Sequence, residues 1–215
     1  MESISAKGEE AEVIRQWADR MLPSAKQNRD DLQRGYETVF GLYMKAEAVR
    51  DKHDIVEVCK AMLHWIYIFR DINNLELAIL TSIDDQVLAR TLQKAHSSTI
   101  FAFLEKWPGT LDSKELAAVR RRFPALADMN SETKLAFETF NLKWRSNLRK
   151  IRQTANGHYE DAVAMDAIWR VLSLSGFFDL THDFRDLERP FIRYVGETMG
   201  KVAVIVTRLH GSNRK

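Results

Sequence analysis

The sequence predicts an all-α fold, a single-domain helical bundle of about six to eight helices. Glycine and proline are scarce, with 9 Gly and 4 Pro in 215 residues, which favours long helices over a sheet with frequent turns. Apolar residues recur at spacings of three and four along most of the chain, as on one face of a helix. Hydrophobic residues make up 45% of the sequence, so the chain can form a solvent-excluded core and is not wholly disordered.

Composition and charge limit the domain organisation and the location of the protein. One domain is expected over residues 9–210, between a flexible N-terminus at 1–8 and a flexible tail at 211–215. The single cysteine, Cys59, excludes an intrachain disulfide framework and a multi-cysteine zinc site. The net charge of +2 excludes a globally basic nucleic-acid binder but allows a local basic patch. Neither a signal peptide nor an apolar stretch of roughly 20 residues is present, so a cytoplasmic protein without a membrane partner is predicted.

In the first half of the chain, the prolines divide the predicted helices. A proline disfavours helical geometry in the residue before it, so Pro23 is expected to end a first helix and Pro108 a later one. The segment Met62–Phe69 is apolar nearly all round and is therefore predicted to be the buried centre of the bundle, with His64 in the core or at an interface. Ser82 to Asp85 resembles a capping box. The predicted helices cover residues 9–21, 28–49, about 55–72 and 82–106.

In the second half, a long aromatic helix is predicted to begin at a Ser131 cap and to end near Ala155. Its core stripe consists of Phe137, Phe140, Trp144, Leu148 and Ile151. Gly157 is expected to follow the end of this helix, because glycine tolerates the left-handed conformation that is common there. Pro190 is expected to divide the last helical region into two pieces. The helices predicted here cover residues 112–122, 131–155, about 160–174, 180–189 and 191–209.

The stretch from Trp144 to Asp161, WRSNLRKIRQTANGHYED, carries most of the functional information. Arg145, Arg149 and Arg152 are four and three residues apart and therefore line one helical face, beside the predicted core stripe. His158 follows just after the expected helix end. An imidazole can exchange a proton with a sugar hydroxyl near neutral pH, and a guanidinium can hold a phosphate and stabilise its growing charge. In a purely structural interpretation, the arginines complement the helix dipole and the histidine is a local cap.

The string Leu148 to Tyr159, LRKIRQTANGHY, resembles the signature of the HEPN (higher eukaryote and prokaryote nucleotide-binding) superfamily. In that signature an arginine and a polar residue precede a histidine by a few positions, at the junction of two helices. The resemblance implies a helical bundle, commonly a homodimer, in which Arg152 and His158 form a metal-independent ribonuclease site without a cofactor. In active members the arginine and histidine of both protomers meet across the interface. RNA-binding or phosphate-binding roles then fall to Arg145, Arg149, Gln153 and Asn156.

The resemblance also implies a biological setting in toxin–antitoxin or phage-defence systems, with a protein antitoxin or regulatory partner. In the lead hypothesis the protein cleaves or binds RNA, with products ending in a 2′,3′-cyclic phosphate and a 5′-hydroxyl. The alternative is a non-catalytic scaffold that binds a protein partner or a nucleotide through exposed aromatic residues. The candidates for these aromatic anchors are Trp17, Trp107, Tyr159 and Tyr194.

Two further clusters carry side chains typical of binding sites but are expected to have structural roles. Asp179, His182, Asp183 and Asp186 have helical spacing and ligand-type side chains, but acids near a helix start are also expected to lie in solvent and complement the dipole. No metal site is therefore predicted. The run Arg120 to Arg122 is expected to be a solvated helix end, with an extended phosphate-binding surface as the alternative.

Overall fold

The computed structural model describes residues 2–48, 53–155 and 173–212. Over these ranges the chain forms six α-helices and no strand, so the prediction of an all-α bundle is confirmed. The helices are α1 (Glu2–Glu47), α2 (His53–Thr81), α3 (Gln86–Leu111), α4 (Lys114–Arg122), α5 (Ala125–Ala155) and α6 (Leu174–Ser212). The helix predicted at about 160–174 lies almost entirely outside the described residues. Among the helices described, none combines the length and apolarity needed to cross a bilayer.

Three helices continue through a proline, so the helix ends predicted at these positions are wrong. Pro23 lies inside α1, Pro108 inside α3 and Pro190 inside α6. Each proline removes one backbone hydrogen bond, and each helix has buried side chains on both sides of its proline. In α3, for example, Trp107 is buried directly before Pro108 and Leu111 is buried after it. Tertiary packing therefore outweighs the local preference of proline.

In α1 a regular seam explains why the helix is continuous. Residues at strict seven-residue spacing on both sides of Pro23 are buried, which is the repeat of helices that pack side by side. Small alanines occupy both ends of this seam and allow close approach of the neighbouring helices. The seam consists of Ala18, Ala25, Leu32, Val39 and Ala46.

Side-chain capping sets where the middle helices begin. The Asp85 carboxylate accepts hydrogen bonds from the backbone N–H groups of Val87 (3.1 Å) and Leu88 (3.0 Å) at the start of α3. The Ser113 hydroxyl accepts one from the Leu116 N–H at the start of α4. These are N-cap contacts, which satisfy donors left over at a helix start. Ser131 is not a cap as predicted, because α5 begins six residues earlier at Ala125.

Aromatic side chains of three helices form the centre of the core. Phe69 of α2, Phe103 of α3 and Phe191 of α6 are each at most 1% exposed. Their ring centroids are 5.2 to 5.5 Å apart, within the usual range for edge and tilted aromatic pairs. On α2 the expected burial on every side holds for Met62, Trp65 and Ile66 but not for His64 and Tyr67, which are exposed. The core position predicted for His64 is therefore wrong, and the alternative position at an interface stays a prediction.

A charged network is buried where α2 and α6 meet the first helix. The Arg185 guanidinium donates hydrogen bonds to the carboxylates of Glu76 and Glu188. The Asn28 amide donates a longer one, 3.4 Å, to Glu188 Oε2. Glu76 and Glu188 are only 2% and 3% exposed, and Glu76 Oε1 has no hydrogen-bond partner among the described residues. Two buried carboxylates therefore share one guanidinium, and we call these three residues the buried triad.

Candidate functional site

The C-terminal half of α5 packs against the core as predicted. Trp144, Leu148 and Ile151 are all at most 6% exposed. The Trp144 indole N–H donates a hydrogen bond of 2.6 Å to Asp183 of α6, which fixes the rotation of α5 about its axis. Because Arg145, Arg149 and Arg152 lie round the helix from this buried stripe, they point away from the core.

The three arginines line one groove between α5 and α3. The groove is a cavity of about 360 Å³, and Gln153 lies at its end one position after Arg152. On the α3 side it is bounded by Phe101 and Glu105. We call this the arginine groove; its lining residues are Phe101, Glu105, Arg145, Arg149, Arg152 and Gln153. Three guanidinium groups face one carboxylate, so the groove is positively charged and suited to an anion.

Arg152 is held at the edge of the groove by residues of α3. Its guanidinium donates a hydrogen bond to the Glu105 carboxylate and its Cζ atom lies 5.3 Å from the ring centroid of Phe101. The side chains of Arg152 and Glu105 remain 41% and 46% exposed. An ion pair this exposed contributes only about 0 to 1 kcal/mol, so a phosphate can displace Glu105 from Arg152 at little cost.

Four of the six predicted site residues lie together in the structure. Arg145, Arg149, Arg152 and Gln153 line the same groove. The other two, Asn156 and His158, lie outside the described residues, and the approach of His158 to Arg152 stays a prediction. Sequence reasoning missed Glu105 and Phe101, because they are more than 40 positions away on another helix and neither belongs to a recognisable motif.

Two of the four aromatic anchors predicted for a scaffold function are buried. Trp107 and Tyr194 are 5% and 0% exposed, so both belong to the core. Trp17 packs on Phe178, with ring centroids 3.7 Å apart. Tyr159 lies outside the described residues. Within the described ranges, the exposed aromatic residues are Phe40 on α1 and Tyr67 on α2.

The two weaker clusters have structural partners. The Asp183 carboxylate is engaged by Trp144 and by Lys143, whose Nζ lies 2.6 Å away. Over the described ranges, no group of three or more His, Cys, Asp or Glu side chains has the arrangement of a metal site. In the arginine run, Arg120 donates hydrogen bonds to the Leu111 carbonyl (2.8 Å) and the Tyr194 hydroxyl (3.2 Å). Arg120 therefore ties helices together and is not a solvated helix end.

The comparisons with known proteins found no match for this chain. No model of a known protein family matches the chain. No curated protein and no solved structure matches it either. The functional argument therefore rests on the arginine groove and on the sequence around it.

Proposed function

We propose that the arginine groove binds the phosphate backbone of RNA and that Arg152, with His158, cleaves the bound strand without a metal. The observation that carries this proposal is the convergence of Arg145, Arg149 and Arg152 on one exposed groove. Guanidinium groups are the preferred partners of phosphate because their donors match its oxygens in pairs. Arg145 and Arg152 are seven positions apart, or about 10 Å along the helix, which lets the groove contact more than one phosphate.

The cleavage step needs only groups that RNA and this segment supply. The 2′-hydroxyl of the substrate attacks the adjacent phosphorus, and the bond from phosphorus to the 5′-oxygen breaks. His158 takes the proton of the 2′-hydroxyl or donates one to the leaving oxygen. Arg152 stabilises the additional negative charge on the phosphate in the transition state. The products end in a 2′,3′-cyclic phosphate and a 5′-hydroxyl, as the resemblance to the HEPN superfamily also implies.

Cleavage of a labelled single-stranded RNA in EDTA tests this function. The protein should produce fragments with cyclic phosphate ends, and it should leave DNA of the same sequence intact because DNA lacks the 2′-hydroxyl. Arg152→Ala and His158→Ala should each abolish cleavage. Arg121→Ala, which removes an exposed arginine outside the groove, is the matched control and should keep full activity. Equal cleavage by all four proteins would contradict the proposal.

A binding series separates RNA recognition from cleavage. Arg149→Ala should weaken binding of a non-cleavable RNA and reduce the salt dependence of log K by about 0.7, the loss of one phosphate contact on a single strand. Glu105→Gln should have the opposite effect and tighten binding by up to about fivefold, since an exposed ion pair contributes at most about 1 kcal/mol. Fluorescence anisotropy over a range of salt concentrations measures both effects. Tighter binding by Arg149→Ala, or weaker binding by Glu105→Gln, would exclude the groove as the RNA site.

A second candidate is a non-catalytic interaction module, as in the sequence-based alternative. It is favoured by an apolar groove of about 360 Å³ between α1 and α6, whose lining includes Val39, Phe69 and Met199. Expression in a bacterial host distinguishes the two functions. An active ribonuclease should slow growth, and Arg152→Ala with His158→Ala should relieve this. Wild-type expression that leaves growth unchanged would favour the module.

A further inference from the structure

The outward face of α5 exposes two leucines in series. Leu142 is 87% exposed and Leu135 is 65% exposed. They are seven residues apart, so after two helical turns they lie on the same face of α5. Single exposed leucines are common on protein surfaces, but an aligned pair on one helix is the repeat of helices that pair with another helix.

The same seven-residue spacing places opposite charges beyond the two leucines. Asp128 lies seven residues before Leu135, and Arg149 lies seven residues after Leu142. Both charged residues are exposed, and neither forms an ion pair within the described part of the chain. The stripe therefore runs from acid through two leucines to base, and we call it the outer stripe: Asp128, Leu135, Leu142 and Arg149.

The outer stripe is complementary to itself when reversed. A two-fold axis between Glu138 and Thr139 would place Leu135 of one copy opposite Leu142 of the other. The same axis would place Asp128 opposite Arg149, since the two residues of each pair are equally distant from the axis along the helix. In a parallel arrangement Asp128 would face Asp128 and Arg149 would face Arg149, and like charges would repel.

We propose that the outer stripe is the interface of an antiparallel homodimer, in which α5 of one copy packs on α5 of a second copy. An isologous interface of this kind needs one surface that is complementary to itself. The leucines would lose their exposure to water in the dimer, and the charge pairs would set the direction of the helices. Small side chains at Ser131 and Ser146, both exposed on this side of α5, permit close approach. Glu138 would lie near its own copy at the axis and oppose association.

The proposed dimer would fix how the two arginine grooves are arranged. The two Arg149 residues would be 21 positions apart along the paired helices, or about 31 Å. The grooves would thus lie at opposite ends of the interface, in contrast to the composite site that the resemblance to the HEPN superfamily implies. The tests of the dimer proposal contain no RNA, so they are independent of the RNA-cleaving function. In the dimer, Asp128 of the second copy and RNA would compete for Arg149.

Charge reversal tests the pairing and its direction together. Analytical ultracentrifugation of the wild type should show a monomer–dimer equilibrium. Asp128→Arg and Arg149→Asp should each raise the dissociation constant by more than about tenfold, because like charges then face each other. An equimolar mixture of the two variants should form a heterodimer with both charge pairs restored. A monomeric wild type at high concentration, or a mixture that does not associate, would overturn the proposal.

Leucine replacement tests the apolar part of the stripe. Leu142→Glu should abolish the dimer, while Val87→Glu, which alters an equally exposed residue on α3, should leave it unchanged. Glu138→Gln should strengthen it by removing the like charges at the axis. Circular dichroism confirms that each variant is folded. A dimer that survives Leu142→Glu would show that association uses another surface.

Disulfide crosslinking locates the two-fold axis. Thr139→Cys would place two thiols close to the axis, within the Cα separation of about 4.4 to 6.8 Å that a disulfide needs. Ser146→Cys would place them about 22 Å apart along the helices, so it is the matched control. Native Cys59 is buried, and burial raises the pKa of its thiol to about 11, which keeps it unreactive. Rapid crosslinking of Thr139→Cys alone supports the antiparallel dimer, and crosslinking of both variants or of Ser146→Cys alone contradicts it.

Discussion

Replacing Arg185 with methionine is expected to destabilise the fold by about 3 to 5 kcal/mol near pH 7.5, the cost of leaving a buried charge without its partner. Arg185 is the hydrogen-bonding partner of both Glu76 and Glu188. Without it, two carboxylates that are almost completely buried would face each other with no cation between them. Chemical denaturation of the wild type and Arg185→Met measures the difference in free energy of unfolding.

The neighbouring arginine on the same helix is the control for this change. Arg189 lies one turn after Arg185, and its side chain is 78% exposed beside Asp186. Arg189→Met should change the free energy of unfolding by no more than about 0.5 kcal/mol, as is usual for exposed positions. Replacing all of the buried triad with apolar residues (Arg185→Met, Glu76→Leu and Glu188→Leu) should recover most of the loss, because no buried charge then remains. Equal effects at Arg185 and Arg189 would contradict this account.

The extent of the helices could be predicted only in part, because local and tertiary signals disagree at the prolines. The residue before a proline disfavours helix, and this rule placed helix ends at Pro23, Pro108 and Pro190. The stripe of buried residues nevertheless continues across each of them. In α1 the seven-residue spacing of Ala18, Ala25 and Leu32 is present in the sequence, but alanines are weak markers of an apolar face and do not by themselves predict burial. Long-range packing therefore determines that these helices continue through their prolines.

The candidate site, too, could be predicted only in part, because some of its residues are close in sequence and others are brought together by the tertiary fold. The arginine face of α5 follows from the helical period alone, so Arg145, Arg149 and Arg152 could be placed together from the sequence. The carboxylate that engages Arg152 could not, because Glu105 is brought to it only by the packing of α3 on α5. The buried triad was equally invisible, since Glu76 and Arg185 are 109 positions apart. A charged residue in a helical pattern is normally assigned to solvent, and only the tertiary fold buries these.

Ionisation of Glu76 is expected to lower the stability of the protein as the pH rises from about 4.5 to about 7. Burial raises the pKa of Glu76 to about 7 from the ordinary value of 4.5, and nearby Arg185 only partly opposes this. Between these two values the folded protein keeps a proton on Glu76 that the unfolded chain has released. The folded state therefore binds more protons in this window, so the free energy of unfolding decreases with pH.

Other buried groups beside Glu76 also change the pH dependence of stability, and they act in both directions. Burial also raises the pKa of Glu188, so its contribution has the same sign. Burial and the charge of Arg185 lower the pKa of His96 from 6.5 to about 3. Between these values the unfolded chain binds a proton on His96 that the folded state does not, so the contribution of His96 has the opposite sign. The contribution of Glu76 amounts to roughly 3 kcal/mol, because each pH unit between its two pKa values corresponds to about 1.4 kcal/mol.

Glu76→Gln isolates this contribution, since glutamine has the shape of the protonated acid and cannot ionise. The variant should have about the stability of the wild type at pH 5 and should exceed it by roughly 3 kcal/mol at pH 8. Denaturation curves at half-unit intervals of pH measure the difference, with Glu197→Gln as the control at an exposed carboxylate of α6. A stability difference that stays constant between pH 5 and pH 8 would mean that Glu76 is ionised throughout. Arg185 would then outweigh the cost of burial, and the triad would be a fully charged structural element instead of a proton-binding one.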